Sequence, residues 1–225
     1  MLPPNLGQIL TIFFVMVVIN AVNFVDGLDG LATGIVGISA AAFFAFSYLL
    51  AVVNGFSRAG APSLVTAVII GMCLGFLPHN YHPARIFMGD SGAMFLGLLL
   101  SAIDINAITG SATTTLLPLL LPFAVLAIPL LDLGLAIIRR VKAGRSPFAA
   151  DSEHLHHKLL DLGHSHRRTT VILYLWTAAF AIPAVVAAFA PTWVALVICA
   201  LMLAFSIKLF NKPEPTKAKK KVGVR

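Results

Sequence analysis

Long apolar runs separated by short polar islands are the feature that most limits how this chain can fold. Seven runs can be read: Ile9–Val22, Leu31–Val53, Pro62–Leu77, Ala93–Ile108, Leu116–Ile138, Val171–Ala190 and Trp193–Phe210. A helix crosses the hydrocarbon core of a bilayer with about 20 apolar residues, in a range of roughly 17–25. Only 11% of residues are charged and 59% are hydrophobic, whereas a soluble domain carries about 25% charged residues on its wetted surface. The expected fold is therefore all-α: a polytopic integral membrane bundle of about seven transmembrane helices over residues 1–211, followed by a basic disordered cytoplasmic tail at 212–225. A cytosolic globule, a disordered chain and a nucleic-acid-binding domain are excluded together. The first, third and fourth runs are short, so they should stand steeply or lie among other helices. Pro118, Pro122 and Pro129 predict a bend in the fifth, because each removes a backbone donor. Ala190-Pro191-Thr192 predicts a hairpin between the last two. Cys73 and Cys199 lie inside apolar runs and predict no disulfide framework. The N-terminus shows neither the basic region nor the small-residue cleavage site of a signal peptide.

The net charge of +7 is a matter of position. The basic residues cluster between Arg139 and Arg168 and between Lys208 and Arg225, with Arg58 and Arg85 apart from them. Basic clusters beside apolar runs mark cytoplasmic loops. Placing both clusters inside also puts the loops around 23–30 and 78–92 inside and those around 54–61 and 109–115 outside. Of the 16 Lys and Arg, Arg58 alone is then outside. The N-terminus also falls outside, which is awkward for a chain without an export signal. The lysine-rich tail reads as a topology anchor with some attraction to anionic lipid.

Most of the polar inventory falls in three islands, all on the inner side. The first contains Asn20, Asn23, Asp26 and Asp29, spaced by threes at the end of an apolar run. Such a step cannot keep all four on one helix face. Asn20 and Asn23 can neighbour each other on the last helical turns, while Gly27 and Gly30 permit a tight turn that aims the two carboxylates back at the same space. Oxygen ligands of this kind suit Mg²⁺, which takes one or two carboxylates plus waters and phosphates; a polar helix cap is the alternative. The second island is Arg85-Ile-Phe-Met-Gly-Asp-Ser-Gly92. Asp90 lies between two glycines before an apolar run and reads as a metal ligand beside bound phosphate, or as a plain N-cap. Ser91 can cap the following helix, whose N-terminus favours anions. Phe87 offers a ring face to a base, or packs against membrane. The third runs from Ser146 to Lys158 and carries His154, His156 and His157. With Arg139, Arg140, Arg145 and Lys158 nearby, these imidazoles suit a diphosphate; His-x-His-His without cysteine is a poor zinc pattern. His164 and His166 read as ordinary surface residues. Asp132 is an intramembrane carboxylate and a functional candidate on that ground. Asp104, near the outer end of its run, reads as structural.

The runs NAVNFVDGLDGLATG, RIFMGDSGAMFLG and GRSPFAADSEHLHHKLL, in that order over residues 20 to 160, resemble those of the polyprenyl-phosphate N-acetylhexosamine-1-phosphate transferases (glycosyltransferase family 4). The HLHH form is similar to the branch using UDP-N-acetylglucosamine rather than a UDP-muramoyl-pentapeptide. The resemblance implies transfer of a sugar 1-phosphate, N-acetylglucosamine 1-phosphate in this branch, from a UDP-sugar to undecaprenyl phosphate. UMP is released, and the product is the first lipid-linked intermediate of a cell-surface polysaccharide. It implies Mg²⁺, with Mn²⁺ able to substitute, an inner (plasma) membrane location with the site facing the cytoplasm, and room for a homodimer. Carried over to this chain, Asp90 is the central metal ligand and Asn23 a second. Asp26, Asp29, Asp90, His154, His156 and His157 are the catalytic set. Asn20, Asn23, Phe87 and Arg145 contact substrate, with Phe87 stacked on uracil. Family members also carry an Asp-Asp pair on an earlier inner loop and have ten or eleven spanning helices. This sequence has no adjacent Asp pair, so the chain is expected to correspond to the C-terminal two-thirds of such an enzyme. A catalytically incomplete fragment that binds UDP-sugar, or a membrane transporter, are the competing readings.

Overall fold

The computed structural model describes residues 4–53, 55, 60–110, 123–144, 146 and 154–211. Arg58, Pro118, Pro122, Arg145, the 212–225 tail and the side chain of Asp104 lie outside the described residues. The described residues form helices α1 (Pro4–Val25), α2 (Leu31–Val53), α3 (Gly60–Asn80), α4 (Gly89–Gly110), α5 (Ala127–Lys142), a short α6 (Leu155–Asp161), α7 (His166–Phe189) and α8 (Thr192–Phe210), and no strand. Five of them, α1, α2, α3, α7 and α8, are long and apolar enough to cross a membrane. The protein is an all-α polytopic membrane bundle.

The first, third and fourth apolar runs are not short helices. α1, α3 and α4 have 22, 21 and 22 residues, and α1 and α3 are apolar enough over that length for a crossing. Each continues past its apolar stretch into a polar island. The site residues Asn23 and Asp90 therefore stand on helix ends rather than in free loops.

Helix α2 is the most enclosed, with α3 on one side and α7 on another, while α1 packs on α4 and α5. Phe43, Leu31 and Ile35 of α2 are among the largest fully buried side chains. The α1–α4 contact is very close. A Cβ on Gly97 of α4 would lie 2.8 Å from the Ile19 Cα of α1. The expected hairpin is present, with α7 and α8 packed together across Ala190 and Pro191. Arg168 of α7 donates to the Leu209 carbonyl of α8.

The bend in the fifth run sits at Leu126, which leaves helical geometry (φ −94°, ψ 11°) just before α5. Pro129 has no N–H to give the carbonyl four residues back, that of Val125. The Ser39 hydroxyl of α2 donates to that carbonyl instead, at 3.0 Å in a buried setting. A backbone acceptor orphaned by proline is thus satisfied from a neighbouring helix, as a bundle in lipid requires.

Candidate functional site

The three islands meet at one end of the bundle. Helix α1 closes at Val25 with a turn in which the Asp26 N–H donates to the Asn23 carbonyl (3.1 Å). Five residues later the chain re-enters α2. Gly30 makes that re-entry with φ +76°, which a side chain would strain. Gly27 serves a different purpose from the tight turn expected of it. Its φ is ordinary, but a Cβ there would lie 2.4 Å from the His156 ring, so its missing side chain admits the imidazole.

The second island is fastened by Asn80 at the end of α3. This buried amide accepts from the Thr33 hydroxyl (2.6 Å) and donates to the Ile86 carbonyl (3.0 Å). Gly89, at φ +69°, turns the chain into α4 and leaves Asp90 in the first helical turn, where the dipole favours a carboxylate. Because α4 starts at Gly89, Ser91 lies inside that first turn, not at the cap position expected for it.

Helix packing then brings the first two islands together. The Asn23 amide of α1 donates to Asp90 Oδ1 at 3.2 Å across 67 residues of sequence. Burial, and then the charge of Asp90, push the Asp26 carboxyl up to about 6, which puts Asp26 in the same field. Asn23, Asp26 and Asp90 form one oxygen-rich group. Asp29 is held elsewhere. It accepts from His82 Nδ1 (2.8 Å) and the Ala84 N–H (3.1 Å). Burial alone would raise its carboxyl, but these donors and the nearby His82 and His166 hold it below the usual carboxylate range. The Asn20 amide is engaged by the Met16 carbonyl one turn back on its own helix, at 2.7 Å.

The histidine island docks on the same end. His154 lies against the Phe24 ring (centroids 5.5 Å apart, 30° between planes), next to Asn23 in sequence. His156 continues the stack 5.7 Å from His154, with His157 4.2 Å beyond. His154 and His156 are buried, at 8% and 2% exposure, and His157 is exposed. Burial, and then His157, push the His156 imidazole down to about 4, so it is neutral near pH 7. Its Nε2 is buried without a hydrogen-bond partner among the described residues. Arg140 of α5 sits 5.7 Å from the Phe24 centroid, a cation–π distance.

Phe87 is 74% exposed and lines an apolar cavity of about 280 Å³ together with Thr33, Phe76, Met88 and Phe95. Its ring is thus exposed rather than packed, three residues before Asp90 in sequence. Among the described residues no three His, Cys, Asp or Glu side chains form a metal-holding group. Arg145, expected to contact substrate, falls outside the described residues.

Several partners were not evident from the residues alone. His82 is the residue that holds Asp29 apart from the group of Asn23, Asp26 and Asp90, and its ring stacks on His166 at 4.9 Å, so the third-island neighbour His166 is not an isolated surface residue. His164 is buried against Phe210 (5.4 Å). The signal for His82 was the polar stretch Asn80-Tyr81-His82, which starts five residues before the second island was taken to begin.

The fold and this end of it define a helical membrane protein in which carboxylates, amides and imidazoles gather at one end of the bundle. Residues 1–108 match the model of glycosyl transferase family 4, and the chain belongs to that family. It is 47% identical over 183 residues to a decaprenyl-phosphate N-acetylglucosaminephosphotransferase of Mycobacterium leprae, covering 77% of this chain and 46% of that protein. It is 36% identical over 201 residues to a probable undecaprenyl-phosphate N-acetylglucosaminyl 1-phosphate transferase of Bacillus subtilis, covering 87% and 52%. To the undecaprenyl-phosphate alpha-N-acetylglucosaminyl 1-phosphate transferase of Escherichia coli K12 it is 34% identical over 205 residues, covering 88% and 53%. The chain spans about half the length of the curated relatives it matches.

Proposed function

We propose that this protein transfers N-acetylglucosamine 1-phosphate from UDP-N-acetylglucosamine to a polyprenyl phosphate and releases UMP, at the cytoplasmic face of the plasma membrane. The observation that carries the reading is the bond from Asn23 to Asp90, which unites two motifs far apart in sequence into one oxygen-rich group. The names of the relatives, which act on N-acetylglucosamine phosphate and decaprenyl or undecaprenyl phosphate, support the same chemistry.

The donor set fits Mg²⁺. A carboxylate (Asp90) and an amide (Asn23) in contact, with a second carboxylate (Asp26) close by, are the hard oxygen ligands that such an ion takes alongside phosphate and water. Asp90 and Asn23 would hold it, and when bound it supplies neutralisation of the donor diphosphate's charge. The chain's own residues do the rest. Phe87 stacks on the uracil. The neutral His156 and the neighbouring His154 and His157 orient the diphosphate and sugar. The acceptor phosphate oxygen attacks the phosphorus bearing the sugar, that phosphorus–oxygen bond to UMP breaks, and UMP leaves with its electron pair. No protein nucleophile is needed, because positioning and charge stabilisation carry the catalysis.

The test is release of UMP from UDP-N-acetylglucosamine by membranes containing the protein, with and without added polyprenyl phosphate. Acceptor-dependent release that EDTA stops and Mg²⁺ restores is the expected result. UDP-sugar binding without release, or solute uptake into vesicles without UMP, would replace it with the binding or transport reading. Base stacking is worth about 1–3 kcal/mol, so Phe87→Ala should raise KM for the UDP-sugar roughly 5–150-fold with kcat little changed. An unchanged KM would sink the stacking role.

A further inference from the structure

Asp132 lies on α5 and is 2% exposed, inside a bundle where a lone carboxylate is costly. Both its oxygens are engaged, and both face the histidine island. Oδ1 accepts from the Leu155 N–H at 2.9 Å, in the first turn of α6. Oδ2 meets His154 Nδ1 at 3.1 Å. A carboxylate oxygen accepts, so Nδ1 carries the proton at this contact and Nε2 is the ring nitrogen left outside it. The ring so held is the one against Phe24, the neighbour of Asn23, and the one on which His156 stacks. A simple anchor for α6 would need only the Leu155 contact. The second oxygen sets an imidazole's tautomer and orientation, as the partners of ligating or catalytic histidines do.

We propose that Asp132 is a positioning residue for the reaction. It fixes the tautomer and tilt of His154 and, through Leu155, the register of the short helix that carries His156 and His157. This role rests on the phosphotransferase reading. In Asp132→Asn the side-chain oxygen can still accept from Leu155, so α6 stays anchored. Its NH₂ then faces His154 Nδ1 and selects the opposite tautomer, with the proton on Nε2.

The experiment is a double-mutant cycle in membranes containing the protein, with kcat, KM for UDP-N-acetylglucosamine and the melting temperature in detergent read for each form. Asp132→Asn should lower kcat about 10–100-fold at a near-unchanged KM and melting temperature. His154→Gln should do likewise. The double variant should be no slower than His154→Gln alone, because the carboxylate acts through that ring. Asp132→Glu, which keeps the charge and the acceptors, should recover part of the loss. Losses that multiply in the double variant, or wild-type kinetics in Asp132→Asn, overturn the role. Should Asp132→Asn fail to accumulate, the pair Asp132→Glu and Asp132→Gln makes the same comparison, and equal turnover in those two overturns it. Absence of turnover by the unmodified protein overturns the phosphotransferase reading, and this role with it.

Discussion

Asp90→Asn should cut Mg²⁺-dependent UMP release by about 100–1000-fold, the scale on which loss of a preorganised charge-stabilising group is felt. The substitution is nearly isosteric. The new side chain keeps an oxygen that accepts from the Asn23 amide, a bond of 3.2 Å in the native protein. The contact between α1 and α4 should therefore survive, and melting temperature and membrane level should match the unmodified protein. The loss should appear in kcat more than in donor KM, because charge neutralisation counts most in the transition state. Excess Mg²⁺ should restore little of it. Substantial activity in this variant would remove Asp90 from the metal role.

The second large effect is expected at an apolar helix contact one to two turns from the polar groups. Gly97→Val should destabilise the protein by about 1–3 kcal/mol, the usual cost of overpacking a tight contact. At this position an added Cβ meets backbone, the Ile19 Cα at 2.8 Å and the Val18 carbonyl at 3.3 Å, and backbone cannot swing aside as a long side chain can. The helices must separate. Asn23 stands one turn beyond Ile19 on α1, and Asp90 two turns before Gly97 on α4, so the same wedge pulls at their shared bond. Turnover should fall along with melting temperature. Gly71→Ala on α3 is the control. Nothing lies within 4 Å of the added Cβ there, and alanine favours helix, so stability should be unchanged or slightly higher. Equal effects at the two positions would contradict the close-packing explanation.

The span of α2, Leu31–Val53, could be read from hydropathy to the residue, and α8 to within one. Both ends of these helices coincide with a change from apolar to polar sequence. The ends of α1, α3 and α4 that face the site could not be placed this way. Hydropathy marks where a helix leaves lipid, not where its hydrogen bonds stop, and these three continue through Asn23, Asn80 and Asp90. The site was legible as three clusters because carboxylates, amides and imidazoles are scarce in such a chain. Which members touch was not legible. Asn23 with Asp90, Asp29 with His82 and Asp132 with His154 are pairs across 67, 53 and 22 residues, set by helix packing that no local period encodes. Gly27 shows the same limit. In sequence it looks like a turn glycine, and its real constraint is a ring from another helix.

The central claim is that three separated islands form one binding site for a UDP-sugar. Hydrogen–deuterium exchange of the protein in detergent, with Mg²⁺ alone and with Mg²⁺ plus UDP-N-acetylglucosamine, tests it without requiring turnover. Added nucleotide sugar should slow exchange together in 23–32, 81–92 and 154–161, while the middle of α8 should be unaffected. Protection confined to one island, or a response that Mg²⁺ alone reproduces in full, would contradict a shared site.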